Sequence, residues 1–336
     1  MNIAIVGATG NVGRKIIEIL EKKNFPVSEL FLIASAKSAG KKINFKGKDH
    51  TVIDLEKFDF SKVKIAFFAA GSAIAEKWAT EAAKKTIVID NSKFFRKDPD
   101  IPLVVPEVNS KELVYVKNKN IIANANCSVI PLVVALKPLH DLYNIKRIVV
   151  STYQSVSGAG KAPMDELLSQ TKEYFDNKNL ESKYFTKQIA FNIIPHIDSF
   201  LENGYTKEEQ KTTDEVKKIL DKKIKISSTC VRIPVLVSHS ISANVEFERQ
   251  CNLEEIKSVL SSSPGCKVVD EQKDGGYITP VEAENKYETF ISRIRKDDSL
   301  QNTINLWIVS DNLLKGAALN AVEIAESLVE KNLHER

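Results

Sequence analysis

The amino-acid sequence predicts an α/β fold: an N-terminal parallel sheet covered by helices, followed by a C-terminal α+β domain. Three observations lead there. A β-branched strand runs straight into a glycine-rich turn and an amphipathic helix at the very start. Apolar strands then alternate with helices through the first third of the chain. From Arg147 onward the strands alternate polar and apolar residues, and helices become sparse. With 336 residues, the chain is long enough for two cores.

The first element is the strand Asn2-Ile3-Ala4-Ile5-Val6. Gly7-Ala8-Thr9-Gly10-Asn11-Val12-Gly13 follows, then a helix whose apolar face carries Ile16, Ile17, Ile19 and Leu20. Strand, glycine turn and helix together form the frame of a Rossmann-type dinucleotide fingerprint, here spaced GxxGxxG. Its glycines let the backbone approach a pyrophosphate, which the helix N-terminus attracts. A second strand over 30–34 runs into Ser35-Ala36-Lys37-Ser38-Ala39-Gly40-Lys41-Lys42. NAD sites place a carboxylate near here for the ribose 2′-hydroxyl. This loop has hydroxyls and cations instead, which suits the 2′-phosphate of NADP(H).

The rhythm continues with a strand over 64–69, a helix over 73–84 and a strand over 86–90. Near-continuous apolar strands of this kind are buried on both faces, as in a parallel sheet. Ligands bind at the carboxyl ends of such strands, where Gly71, Ser72, Asn91 and Cys127 all fall.

Cys127 is the most telling residue. It lies in Ala125-Asn126-Cys127-Ser128, between the apolar run 121–123 and a helical stretch over 129–142. A free cysteine is most often a small buried hydrophobe. At a helix N-terminus, flanked by polar residues, the thiolate form is favoured instead.

In the second part, strands are expected over 147–154, 224–226, 229–238, 241–248 and 303–309, forming a mainly antiparallel sheet. The polar segment 204–223 has helical pattern. Thr206 and Glu209 have the spacing of a capping box, and Glu208 and Lys211 share a face as a surface ion pair would. Arg232 and His239 are seven apart, so an ideal strand would point them to opposite faces. For both to reach one site the strand must bend or end between them, and Pro234 marks such a break. A long amphipathic helix over 312–329 closes the chain.

Composition narrows the partners. A net charge of +4 is spread over many Lys and Glu residues, with no basic block interleaved with aromatics, so nucleic acid is not expected. No apolar run approaches the ~18 residues of a membrane helix. Met1 leads straight into a strand, so no signal peptide is expected. Cys127, Cys230, Cys251 and Cys266 have no metal-ligand spacing, which points to a reduced, cytoplasmic setting without a metal.

Several separate motifs, in order along the chain, resemble the aspartate-β-semialdehyde dehydrogenase family over nearly the full length. They are GATGNVG (7–13), SAKSAGK (35–41), LVVPEVN (103–109), NCS (126–128), YQSVSGAGK (153–161), YTKEEQK (205–211), CVRIPVLVSH (230–239) and DNLLKGAALN (311–320). The resemblance implies NADPH-dependent reductive dephosphorylation of L-aspartyl-4-phosphate to L-aspartate-4-semialdehyde, a step toward lysine, threonine and methionine. It implies that Cys127 is the nucleophile that carries an acyl-thioester, His239 the general acid/base, and Gln154 a substrate-orienting group. Arg232 would bind the α-carboxylate and Glu208 the amino group. Arg96, Lys211 and Asn126 would bind phosphate. Thr9, Gly10, Asn11, Val12, Lys37, Ser38, Ser157, Gly158 and Asn312 would contact NADP, beside Gly7, Gly13 and Ser35 of the two loops.

The resemblance also implies domains over 1–126 plus 312–336 for NADP and 127–311 for catalysis and dimerisation. It implies a homodimer or a dimer of dimers. A histidine near its ordinary pKa would pass protons at neutral pH. The chain departs from the family pattern at Ala125, where proline is common, at Lys37, where arginine is common, and at Leu314, often basic. The nearest alternative is an N-acetyl-γ-glutamyl-phosphate reductase, whose cysteine lies in a GCY-type motif. A cysteine hydrolase or a non-catalytic NADP-sensing module would leave the glycine turn or Cys127 without purpose.

Overall fold

The fold was analysed in a computed structural model, which describes residues 1–334. The chain forms two compact units, Met1–Asn126 with Ala317–Arg336, and Cys127–Gly316.

The first unit is built on a seven-stranded sheet. Its strands are β1 (Asn2–Val6), β2 (Glu29–Ala34), β5 (Ile53–Asp54), β6 (Ile65–Phe68), β7 (Ile87–Asp90), β8 (Leu103–Val104) and β9 (Ile121–Asn124). A separate hairpin pairs β3 (Lys42–Phe45) with β4 (Lys48–Thr51). The large sheet runs β5-β2-β1-β6-β7-β9-β8, and every pairing in it is parallel. Ile65–Phe68 and Ile87–Asp90 are wholly buried, as expected for strands covered on both faces. The chain passes from β1 to β2 on one side and then to β6 on the other. The end of β1 is therefore a topological switch point, where such sheets open a ligand crevice.

The helix Asn11–Lys22 buries Ile16, Ile17, Ile19 and Leu20. The helix expected over 73–84 exists but carries a π-helical segment at Ala75–Ala79 between Ser72–Ile74 and Thr80–Ala83. The last helix, Leu319–Glu330, begins later than expected, because a π-helical turn at Leu314–Ala318 precedes it.

The second unit holds β10 (Ile145–Gln154), β11 (Lys225–Arg232), β12 (His239–Phe247), β13 (Cys266–Val268), β14 (Thr289–Lys296) and β15 (Thr303–Ser310). Their order is β11-β10-β12-β15-β14-β13. The sheet is mixed: three of its five pairings are antiparallel, as expected, while β10 pairs with β11, and β13 with β14, in parallel. The long connection from β10 to β11, with helices Lys161–Phe175 and Lys207–Ile219, makes the parallel crossover possible. The second of these helices is shorter than the 204–223 expected; its capping box of Thr206 and Glu209 fixes where it starts.

The strand expected over 229–238 ends at Arg232, and the short strand expected at 224–226 is the start of the same β11. Residues 233–238 leave the sheet, and Ser238 takes a left-handed φ of 74° before β12 starts at His239. Pro234, which lacks a ladder donor, lies inside this break. No described helix is long and apolar enough to cross a membrane.

Candidate active site

Three neighbouring strands of the second unit bring their chemistry to one end of the sheet. Gln154 ends β10, and its register partner Arg232 ends β11. On the other side of β10, Tyr153 pairs with Ser240, one residue into β12, so His239 starts that strand at the same edge. The break at 233–238 is what lets Arg232 and His239 share one end.

Cys127 lies two residues before the helix Val129–Tyr143, at its positive end. Its Sγ is 3.2 Å from His239 Nε2. The π-helical turn packs close behind: a side chain at Gly316 would stand 2.9 Å from the Cys127 carbonyl oxygen and 3.1 Å from its Cβ. Cys127 is partly exposed, whereas Cys230 is fully buried and burial pushes its thiol up to about 12. Cys127 combines an imidazole partner with the access of a nucleophile.

His239 is completely buried, and burial together with the neighbouring Arg232 pushes its pKa down to about 3. This corrects the expectation of a histidine near its ordinary pKa: the ring is neutral at pH 7. Burial likewise lowers the pKa of Arg232, while Cys127 and Glu208 act in the opposite direction. Arg232 Nη1 donates to the Ser155 carbonyl at 2.6 Å. Gly158 leaves room for both groups, since a Cβ there would come within 3.2 Å of Arg232 Nη1 and of the His239 ring.

Gln154 is buried, and its Nε2 reaches Thr152 Oγ1 at 3.2 Å and Glu208 Oε1 at 3.4 Å. Glu208 and Lys211 do form an ion pair, at 2.6 Å, but a largely buried one, which corrects the surface reading. Lys211 also meets Asp198 at 3.0 Å. Burial works against its charge, yet Glu208 and Asp198 raise its pKa. Glu209 serves the capping box and also accepts the Cys230 N–H.

Ser157 and Asn312 are buried side by side. Asn312 Oδ1 accepts from the Ser238 N–H at 2.9 Å and from the Ser155 hydroxyl at 3.1 Å, and its Nδ2 donates to Ser157 Oγ at 2.9 Å. Sequence reasoning passed over Ser155 and Asp198. The hydroxyl-rich run just after a strand end was the available signal for Ser155; Asp198 sits in an irregular segment with no periodicity to read.

In the first unit the glycine turn has three distinct roles. Gly7 has a left-handed φ of 88°, and a Cβ would come within 2.5 Å of the Ala69 carbonyl. A Cβ at Gly13 would lie 2.2 Å from the Gly7 carbonyl, so this glycine lets the helix pack on the turn. At Gly10 only the Gly7 carbonyl comes near, at 3.4 Å. Gly10 is the exposed N-cap of the helix Asn11–Lys22, with no side-chain cap, and Thr9, Asn11 and Val12 are partly exposed beside it. An open turn facing uncapped N–H groups suits a pyrophosphate.

Ser35, Lys37 and Ser38 follow the end of β2 in a short 3-10 turn, with Ser35 and Lys37 exposed. Arg96 is buried and donates to the Asn91 carbonyl at 3.1 Å. Asn126 is buried and directly precedes Cys127. Asn124 ties this segment to Asn91 Oδ1, at 2.7 Å, and to the Ala317 carbonyl, at 2.9 Å.

Comparison with known proteins bears on this geometry. Residues 2–115 match the family model described as "Semialdehyde dehydrogenase, NAD binding domain", and residues 136–315 the one described as "Semialdehyde dehydrogenase, dimerisation domain". The aspartate-semialdehyde dehydrogenase of Aquifex aeolicus is 50% identical over 335 residues, covering 98% of each chain. The solved structure of aspartate semialdehyde dehydrogenase II from Vibrio cholerae, also known in complex with ASA, superposes with a TM-score of 0.96 at 48% identity, covering 98% of each chain. An aspartate semialdehyde dehydrogenase with NADP from Candida albicans has the same fold at TM-score 0.75 and 25% identity, covering 98% of this chain and 99% of that one. With a thiol and an imidazole paired at one sheet end, an open glycine turn, and relatives matched from end to end, the chain belongs to the aspartate-semialdehyde dehydrogenase family.

Proposed function

We propose that this chain converts L-aspartyl-4-phosphate and NADPH to L-aspartate-4-semialdehyde, NADP and phosphate through a thioester on Cys127. The observation that carries the mechanism is the 3.2 Å approach of Cys127 Sγ to His239 Nε2, in a chain of this family. Residues 1–126 plus 312–336 are proposed as the NADP-binding domain, and 127–311 as the catalytic and dimerisation domain.

Cys127 sulfur, as thiolate, attacks the acyl carbon. The C–S bond forms as the bond to the phosphate oxygen breaks, and phosphate leaves. A thioester accepts hydride more readily than a carboxylate does, so one hard reduction becomes two easier steps. NADPH, when bound, supplies the hydride. The resulting alkoxide re-forms its carbonyl and expels the Cys127 sulfur, giving the aldehyde. His239, neutral and beside the sulfur, hydrogen-bonds the charge that develops there.

Arg232 is proposed for the α-carboxylate, whose two oxygens its planar fork matches, and Glu208 for the amino group. Gln154 orients the substrate. Arg96, Lys211 and Asn126 are proposed for the phosphate on the family resemblance; the two carboxylates on Lys211 would have to share its charge with that anion. Gly7, Thr9, Gly10, Asn11, Val12 and Gly13 are proposed to cradle the pyrophosphate. Ser35, Lys37 and Ser38 would meet the 2′-phosphate, and Ser157, Gly158 and the backbone of Asn312 complete the cofactor set by resemblance. A homodimer, or a dimer of dimers, is proposed for the assembly.

The test is NADP reduction with aspartate semialdehyde, with and without inorganic phosphate. Strictly phosphate-dependent reduction supports the reading. Activity confined to N-acetylglutamate semialdehyde, or turnover that needs no nicotinamide, would overturn it.

A further inference from the structure

The hydrogen bonds around His239 carry a conclusion that rests on the proposed thioester reaction and deepens it. The Ser155 backbone N–H lies 3.1 Å from His239 Nδ1. A backbone N–H can only donate, so Nδ1 must accept and cannot itself hold a hydrogen there. The Ser155 hydroxyl is 3.0 Å from the same nitrogen, but its one hydrogen cannot serve Nδ1 and Asn312 Oδ1 together, so the backbone N–H fixes the tautomer. Which ring nitrogen is protonated is set by the bond the other one makes. In the neutral ring, the single hydrogen then sits on Nε2, 3.2 Å from Cys127 Sγ.

Asn312 holds this arrangement from both sides of the ring. Its Oδ1 accepts from Ser238 N–H, the residue directly before His239, at 2.9 Å. The same oxygen accepts from the Ser155 hydroxyl at 3.1 Å. The Ser238 N–H also fixes which end of the amide faces inward, because only oxygen can receive it. Ser238 has a left-handed φ of 74° and is fully buried, so this bond holds a backbone shape that serine does not favour. The Asn312 side chain is 2% exposed in its residue and engaged on Ser155, Ser157 and Ser238.

We infer that Asn312 and Ser155 are positioning residues that hold His239 in the Nε2–H tautomer, so that the ring presents a hydrogen-bond donor to the Cys127 sulfur. The side chain of Asn312 thus acts through His239 rather than on the cofactor. The charged and titratable groups around the ring are Arg232, Glu208 and Cys127. None of them lies on Nδ1 to compete for the tautomer.

Three readouts test this on the full-length protein. Nitrogen-15 NMR of the imidazoles at pH 7, with His239 assigned from the His239→Asn spectrum, should show a protonated Nε2. A protonated Nδ1 would overturn the inference. Asn312→Leu, which keeps the volume and loses the acceptor, should lower kcat about 10- to 100-fold through a misplaced ring, with the NADPH dissociation constant unchanged. Asn312→Asp, which keeps the acceptor, should restore most of that loss. An unchanged kcat with weakened NADPH binding would make Asn312 a cofactor contact and overturn the inference.

Alkylation of Cys127 by iodoacetamide needs no substrate, and so separates this inference from the proposed reaction. It should slow about tenfold in Asn312→Leu, as the sulfur loses its donor. Ser155→Ala, which keeps the backbone N–H, should slow it less. Equal alkylation rates in all variants would contradict the assignment, whatever substrate the enzyme turns over.

Discussion

Cys127 and Cys230 show how place decides chemistry at the scale of a residue. Both are thiols in the same unit, but Cys230 is fully buried with its pKa pushed up to about 12, while Cys127 faces an imidazole at a helix N-terminus. His239 gives a pH prediction. Burial and Arg232 lower its pKa to about 3, against an ordinary 6.5. Below pH 6.5 the unfolded chain binds a proton that the folded chain refuses. Stability from this group is therefore complete above 6.5 and falls as the pH drops toward 3, by up to about 1.4 kcal/mol per pH unit. Urea unfolding between pH 4 and 7 should show a shallower slope in His239→Gln than in the wild type; equal slopes would contradict the buried neutral ring.

Elements place these residues, and here the sequence was legible where periodicity or turn chemistry is local. The strand, glycine turn and helix at 2–22 could be read directly, as could the capping box at Thr206 and Glu209. Thr206→Ala should remove one cap bond and lower stability by about 1 kcal/mol in urea unfolding, without changing the helix content of the folded state. The loop after β2 could be read for its chemistry: Lys37→Ala should raise KM for NADPH about tenfold and leave KM for NADH unchanged, the loss of one charge-assisted contact.

What could not be read depended on long-range neighbours. The apolar run through 229–238 looks like one strand, because Val231, Ile233, Val235 and Val237 keep period two across the break. Only pairing with β10 shows that the ladder stops at Arg232. The low pKa of His239 is invisible for the same reason, since burial and the approach of Arg232 arise only on folding. The parallel β10–β11 pairing follows from a crossover of some seventy residues whose path no local pattern records.

In the molecule as a whole, the β10, β12 and β15 faces matter next. Val149, Ser151 and Tyr153 on β10, Ser242 and Asn244 on β12, and Asn305 and Trp307 on β15 are half-exposed and alternate with buried residues. This uncovered face lies in the segment matched by the dimerisation-domain model. Sedimentation should give a homodimer or larger for the wild type, and a monomer for Val149→Arg, whose long charged side chain would stand out of this face. A monomeric wild type would contradict the proposed assembly. The central claim, that Cys127 carries the acyl group as a thioester until NADPH reduces it, is tested by mass spectrometry. The enzyme is mixed with L-aspartyl-4-phosphate without NADPH, and the Cys127 peptide is then followed. An aspartyl thioester on Cys127, discharged as semialdehyde when NADPH is added and absent in Cys127→Ala, is the predicted result. Full turnover with Cys127 unmodified at every stage, or retained in Cys127→Ala, would contradict it.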